Sequence, residues 1–149
     1  RHDVDVALHG HPRHATIWAC AGRVPPVYDQ TSALAGREVA VSGAYGGSVD
    51  AAENARAGAR ALDDHPIALL ANHGVFVVAG GIEEAYLRAS TIEWRSRRAW
   101  EVETLGGGVA LADHVVDELA AYVDTNLAKL PMFEARIRRE LRADPDMFA

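Results

Sequence analysis

Hydrophobic and polar positions alternate at the start of the chain, where Val4, Val6 and Leu8 are interleaved with Asp5 and Ala7. That period of two predicts a strand running into His9-Gly10-His11-Pro12, with the histidines at its end. From His14 to Ala21 the pattern changes to that of a short buried helix, which Gly22 ends before Pro25-Pro26 forces an extended turn. A loop-rich stretch follows, and Glu38 to Val41 is a candidate second strand. Gly46-Gly47 breaks the chain, Ser48 can cap a helix, and Ala52, Ala55, Ala59 and Leu62 then form a stripe of small side chains suited to close packing on a sheet. Ile67 to Leu70 and Val75 to Val78 are strongly apolar strands, joined by the polar bend Ala71-Asn72-His73-Gly74.

Beyond the strands the period becomes helical. Ile82, Ala85, Tyr86, Ala89, Ile92 and Ala99 recur on one face of a long helix, with Arg88 and Arg95 expected on its surface. Leu87 and Trp94 lie off that stripe, so the helix has either a wide core face or a subunit contact anchored by Trp94 and Trp100. After Gly106-Gly107-Gly108, two more helices are predicted, from Val115 to Leu127 and from Phe133 to Leu141, joined near Pro131.

Composition narrows the function classes. The 149 residues, 49% of them hydrophobic, suit one domain spanning 1–149 around a single core. A net charge of -6 with scattered arginines offers no basic stripe, so no nucleic-acid partner is expected. No apolar run approaches the roughly 18 residues of a membrane span, and no basic-then-apolar leader opens the chain; a cytoplasmic setting without membrane contact is expected. Cys20 is the single cysteine, which excludes disulfide frameworks and four-cysteine zinc sites. The opening Arg1-His2-Asp3 has no initiator methionine and enters a strand almost at once, so the chain reads as an N-terminally incomplete piece of a longer protein.

The chemistry centres on histidine. On a strand, His9 and His11 project to the same side, and Gly10 leaves the other side open. Two imidazoles so placed suit one cation, and a catalytic zinc site wants a third protein ligand plus an open position. His73, at the tip of an apolar strand pair and followed by Gly74, is the best-placed third candidate. An H-x-H pair is common by chance in a chain with seven histidines, so spacing alone leaves structural histidines as the alternative. His14, His65 and His114 read as surface or helix-end residues, Glu83-Glu84 as first-turn carboxylates, and the arginines from Arg136 to Arg142 as a solvated helix face.

The segments His9-Gly-His-Pro12, Gln30 through Gly36-Arg-Glu38, and Leu69-Leu-Ala-Asn-His-Gly-Val75 followed by Gly80 and Glu84-Ala85 together resemble the class II aldolase and adducin family in order and spacing. The resemblance implies an α/β fold, a three-layer α-β-α domain with a mostly antiparallel central sheet. It implies His9, His11 and His73 as ligands of a divalent metal, usually zinc, with Mn2+, Co2+ or Mg2+ as alternatives. Adducins have lost these ligands, so their retention favours an enzyme over a non-catalytic oligomerising module. Family chemistry is that of a metal-dependent lyase, in which a Lewis-acid metal stabilises an enediolate. It covers retro-aldol cleavage of sugar phosphates, decarboxylation of keto acids and, as an alternative, 4-epimerisation of a pentulose phosphate. The adducin-like look of the Gln30 region leans towards decarboxylation.

The family's acid/base residue and phosphate-binding loops precede the H-x-H motif, so neither is expected within these residues. Gln30 and Tyr28 fall where family members place substrate-contacting or loop residues. Asn72 is a candidate for orienting a ligand from behind, or simply for satisfying the turn backbone. Family enzymes are usually homotetramers with sites near subunit boundaries, which implies the same assembly here.

Overall fold

The computed structural model describes residues 1–43, 56, 59–126 and 131–147. Its elements run β1 (Val6–Gly10), α1 (Arg13–Ala21), α2 (Gln30–Ala33), β2 (Val39–Val41), β3 (Ile67–Leu70), β4 (Gly74–Ala79), α3 (Ile82–Thr104), α4 (Asp113–Asn126) and α5 (Met132–Ala143). The strands form one mixed sheet in the order β1-β4-β3-β2, with β1–β4 and β3–β4 antiparallel and β2–β3 parallel. The fold is therefore α/β with a mostly antiparallel sheet, as expected. The predicted break at Gly46-Gly47, the Ser48 cap, the Ala52 and Ala55 part of the stripe, and the end at Leu127 of the helix predicted from Val115 lie outside the described residues.

Strand alternation sorts the core into two faces. Ile67, Leu69, Val75 and Val77 point one way and meet Ala15, Trp18 and Ala19 of α1 and Ile92 and Ala99 of α3. Ala68, Leu70 and Val78 point the other way and meet Leu62, in the helical segment 59–62, with Ala61 and Phe76 at the margin. Ile67, Leu69 and Ile92 are each fully buried, and burying a side chain of that size stabilises the fold by about 1.5–3 kcal/mol. All four β3 side chains are buried because both faces of this strand are covered, which is why it reads as a continuous apolar run.

Gly22 ends α1 in the left-handed conformation, with φ 62°, and its amide and that of Arg23 close on Ala19 and Trp18 carbonyls. The four-residue helix α2, inside the stretch expected to be loop, starts at Asp29, whose carboxylate accepts the Ser32 amide at 2.6 Å. Its brevity hides it from any periodicity argument.

For α3, one of the open alternatives fits and one expectation is revised. Leu87, off the predicted stripe, is buried, so the core face is wide. Arg95, expected on the surface, is only 4% exposed. Its Nε donates to the Pro25 carbonyl and its Nη1 to the Gly36 carbonyl, each at 2.7 Å. The Pro25 and Gly36 carbonyls, before and after α2, both accept from the forked guanidinium, and this offsets the cost of burying the charge. Burial pushes the guanidinium down to about 10, still charged at neutral pH. Trp94 and Trp100 remain 40% and 47% exposed.

Candidate metal centre

The antiparallel register places His9 opposite Phe76 and Gly10 opposite Val75. The end of β1 thus lies beside the tight β3–β4 turn, where the His73 amide donates to the Leu70 carbonyl at 3.0 Å. Asn72 occupies this turn with φ 55°, a left-handed conformation that asparagine tolerates better than most residues. Asn72 is exposed at this turn, next in sequence to His73.

Three imidazoles converge here. The ring centroids of His9 and His11 are 4.9 Å apart, those of His9 and His73 4.8 Å, and those of His11 and His73 4.9 Å. One nitrogen from each ring lies within 4.8 Å of the others. A tetrahedral zinc with bonds of about 2.0–2.1 Å would hold its nitrogens roughly 3.4 Å apart, a gap that modest ring rotations close. His9 and His11 are exposed and His73 is half-buried, so the group opens to solvent on one side.

The surroundings bear on what the rings can bind. His9 Nδ1 lies 3.0 Å from the Val75 carbonyl. That oxygen only accepts, so Nδ1 carries the proton and Nε2 keeps its lone pair for a ligand bond. The Phe76 ring lies alongside the His9 imidazole, with centroids 6.0 Å apart. Desolvation, then the neighbouring His9 and His11, hold His73 below the ordinary imidazole value of 6.5. The neutral form, which binds metal, is thus favoured at neutral pH.

The depressed His73 value also sets a pH dependence. Between pH 6.5 and the lower folded-state value, the unfolded chain binds more protons at this group than the folded chain does. Its contribution to stability is full above the unfolded value and is lost as pH falls through the folded one. The metal-free protein should therefore melt at a lower temperature at about pH 5 than at about pH 7. In His73→Ala the slope between those two pH values should be shallower, and an unchanged slope would count against the assignment.

Close approach is built into the backbone. A Cβ on Gly74 would sit against the Gly10 carbonyl and 2.8 Å from His11 Cδ2, so only glycine lets β4 start this near the H-x-H segment.

The other candidates find different partners. The Tyr28 hydroxyl donates to Glu103 at 2.6 Å, at the C-terminal end of α3. Gln30 is exposed at the start of α2. His14, at the start of α1, is half-buried and bound to Glu93 at 2.7 Å, a partner 79 residues away that no sequence pattern marks.

The model of the Class II Aldolase and Adducin N-terminal domain matches residues 1–100. The chain belongs to this family. A 5-methylthioribulose-1-phosphate/5-deoxyribulose-1-phosphate aldolase from Rhodospirillum rubrum is 29% identical in an alignment 137 positions long that covers 88% of this chain and 60% of that protein. Among solved structures, an L-fuculose 1-phosphate aldolase superposes with a TM-score of 0.69 at 28% identity, over 83% of this chain and 57% of the other. An aldolase II superfamily protein from Pseudomonas syringae gives 0.74 at 23% identity, over 97% and 59%, a likeness of fold. The chain spans about three-fifths of the length of these relatives. Class II aldolases are metal-dependent, and in this family member His9, His11 and His73 form a cluster that could bind the ion.

Proposed function

We propose that this chain carries the metal centre of a class II aldolase-type lyase, with His9, His11 and His73 as the protein ligands and residues 1–149 forming one domain. The convergence of three imidazoles from the end of β1 and the β3–β4 turn is the observation that carries the reading. An all-nitrogen donor set suits zinc, while Mg2+ and Mn2+ prefer oxygen. Three ligands leave a tetrahedral ion one open position, and the solvent-facing side of the cluster is where a substrate would enter.

A metal held there supplies Lewis-acid polarisation of a substrate carbonyl. The chain's own part is to present three imidazoles, to orient His9 through the Val75 carbonyl, and to keep His11 close to β4 through Gly74. Gln30, exposed at the head of α2, and Tyr28, tethered to Glu103, are the proposed substrate contacts from the intervening loop. The acid/base group is assigned to none of these residues.

The substrate class we favour is a ketose 1-phosphate, because two relatives at 28–29% identity are named as aldolases of such sugars. Aldol cleavage between C3 and C4 of a ketose 1-phosphate yields dihydroxyacetone phosphate and an aldehyde. Decarboxylation would release carbon dioxide, and 4-epimerisation would return an isomer with no fragment. We further propose a homotetramer in the cytoplasm, with the exposed Trp94 and Trp100 at a subunit contact; no helix among the described residues is long and apolar enough to cross a membrane.

Elemental analysis of the purified protein and of His9→Ala tests the central assignment. About one zinc per chain, lost in the variant, is expected. No bound metal after reconstitution would overturn the reading and favour a non-catalytic adducin-like module. Product analysis then separates the three reactions: ketose 1-phosphates assayed for dihydroxyacetone phosphate and an aldehyde, keto acids for carbon dioxide, and pentulose phosphates for an isomer without a fragment.

A further inference from the structure

Helix α1 starts without a cap of its own. Pro12 stands at the N-cap with no side-chain hydrogen bond to offer, and the first turn holds no acidic residue. The first amides of a helix need acceptors from somewhere. Here they come from α3. Both carboxylate oxygens of Glu93 accept the His14 amide at 3.0 Å, and Oε2 accepts the Ala15 amide at 2.9 Å. Oε1 also takes the proton on His14 Nδ1, at 2.7 Å. One carboxylate thus absorbs three N–H groups at the positive end of a helix dipole, where an anion is most favoured.

The consequence lies in the chain between β1 and α1. Only His11 and Pro12 separate Gly10 from Arg13, and the proline ring removes one of the few rotations available. The place where α1 begins therefore decides where the His11 imidazole can stand. That ring is exposed and close to Gly74, so the core gives it little support. Its anchor is the start of α1.

We propose that Glu93 is a positioning residue for the metal centre: by anchoring the start of α1 it places His11 against His9 and His73. This rests on the reading of those three histidines as ligands. A Glu93 that merely stabilised the helix would lower the melting temperature when lost and leave metal affinity untouched.

The test compares the full chain with Glu93→Gln, His14→Ala and Val116→Ala. Glutamine keeps the shape but turns one acceptor into a donor that faces other donors. His14→Ala removes the imidazole and keeps the two amide bonds. Val116, fully buried in α4 against Val27 and Ala33, reports what general destabilisation does. The probes are zinc affinity by chelator competition, the visible spectrum of the Co2+ form, and the melting temperature.

Glu93→Gln should bind zinc at least about tenfold more weakly, the lower end of what disturbing a ligand's support costs, with a changed Co2+ spectrum. Val116→Ala, destabilised by its cavity, should keep wild-type affinity and spectrum, and His14→Ala should stay close to them. Wild-type affinity and spectrum in Glu93→Gln would overturn the proposal while leaving the ligand assignment standing. A loss in His14→Ala as large as in Glu93→Gln would overturn it too, by making the imidazole the active part. Absence of zinc binding in the wild type would remove the ligand reading and this proposal together. Should Glu93→Gln fail to fold, Glu93→Asp, one methylene short of the amides, carries the same comparison.

Discussion

His73→Ala should strip the protein of its metal while leaving the fold in place. The His73 ring sits at the tip of the β3–β4 turn with His9 and His11 as ring neighbours at 4.8 and 4.9 Å. The turn itself is closed by the backbone bond from the His73 amide to the Leu70 carbonyl, which alanine retains. Two imidazoles would remain. Disturbing a residue that only supports a ligand already costs up to about 100-fold in metal affinity, and removing a ligand should exceed that. Elemental analysis should give close to no metal in the variant, against about one ion per chain in the wild type. The melting temperatures of the two metal-free proteins at neutral pH should agree to within a few degrees. Full metal content in His73→Ala would sink the assignment.

Gly74→Ala is the second large effect, and it should act on stability and metal content together. The added methyl would press on the Gly10 carbonyl and lie 2.8 Å from His11 Cδ2. Gly10 is paired with Val75 in the β1–β4 ladder, so the carbonyl cannot turn away without breaking strand pairing. Overpacking of this kind costs about 1–3 kcal/mol. The relief that remains is to push β1 and His11 away, which spreads the three rings. Urea unfolding should show the loss, and the same preparation should hold less than half of the wild-type metal. Wild-type stability in Gly74→Ala would mean that β1 and β4 do not approach as closely as described.

Much of the architecture was legible from periodicity. β3 was read at its observed bounds, and β1, β2, β4, α1 and α3 were each placed within a few residues, because every one carries an apolar face or run long enough to show its period. Gly22 marked the end of α1 because only a residue without a Cβ takes the left-handed turn cheaply. Short or singular features were not legible. Helix α2 has four residues, about one turn, and its start depends on a single carboxylate cap at Asp29. Arg95 looked like a surface arginine because its two acceptors, the carbonyls of Pro25 and Gly36, are backbone groups about 60 to 70 residues away.

The chain alone determined the family, through H-x-H-P and N-H-G in the right order, and with it the three histidines, whose alternation on a strand put His9 and His11 on one side. Only the tertiary structure decided that His73 meets them, because the antiparallel register of β1 on β4 sets the tip of one turn beside the end of another strand. It alone selected the His9 nitrogen free to bind, since the proton goes to a carbonyl whose residue identity is irrelevant. It also brought Glu93 to the start of α1 from a helix 79 residues downstream. Sequence patterns record what a side chain prefers locally. Contacts made by backbone groups and by distant charges leave no such record, because any sequence that folds the same way would present the same carbonyls.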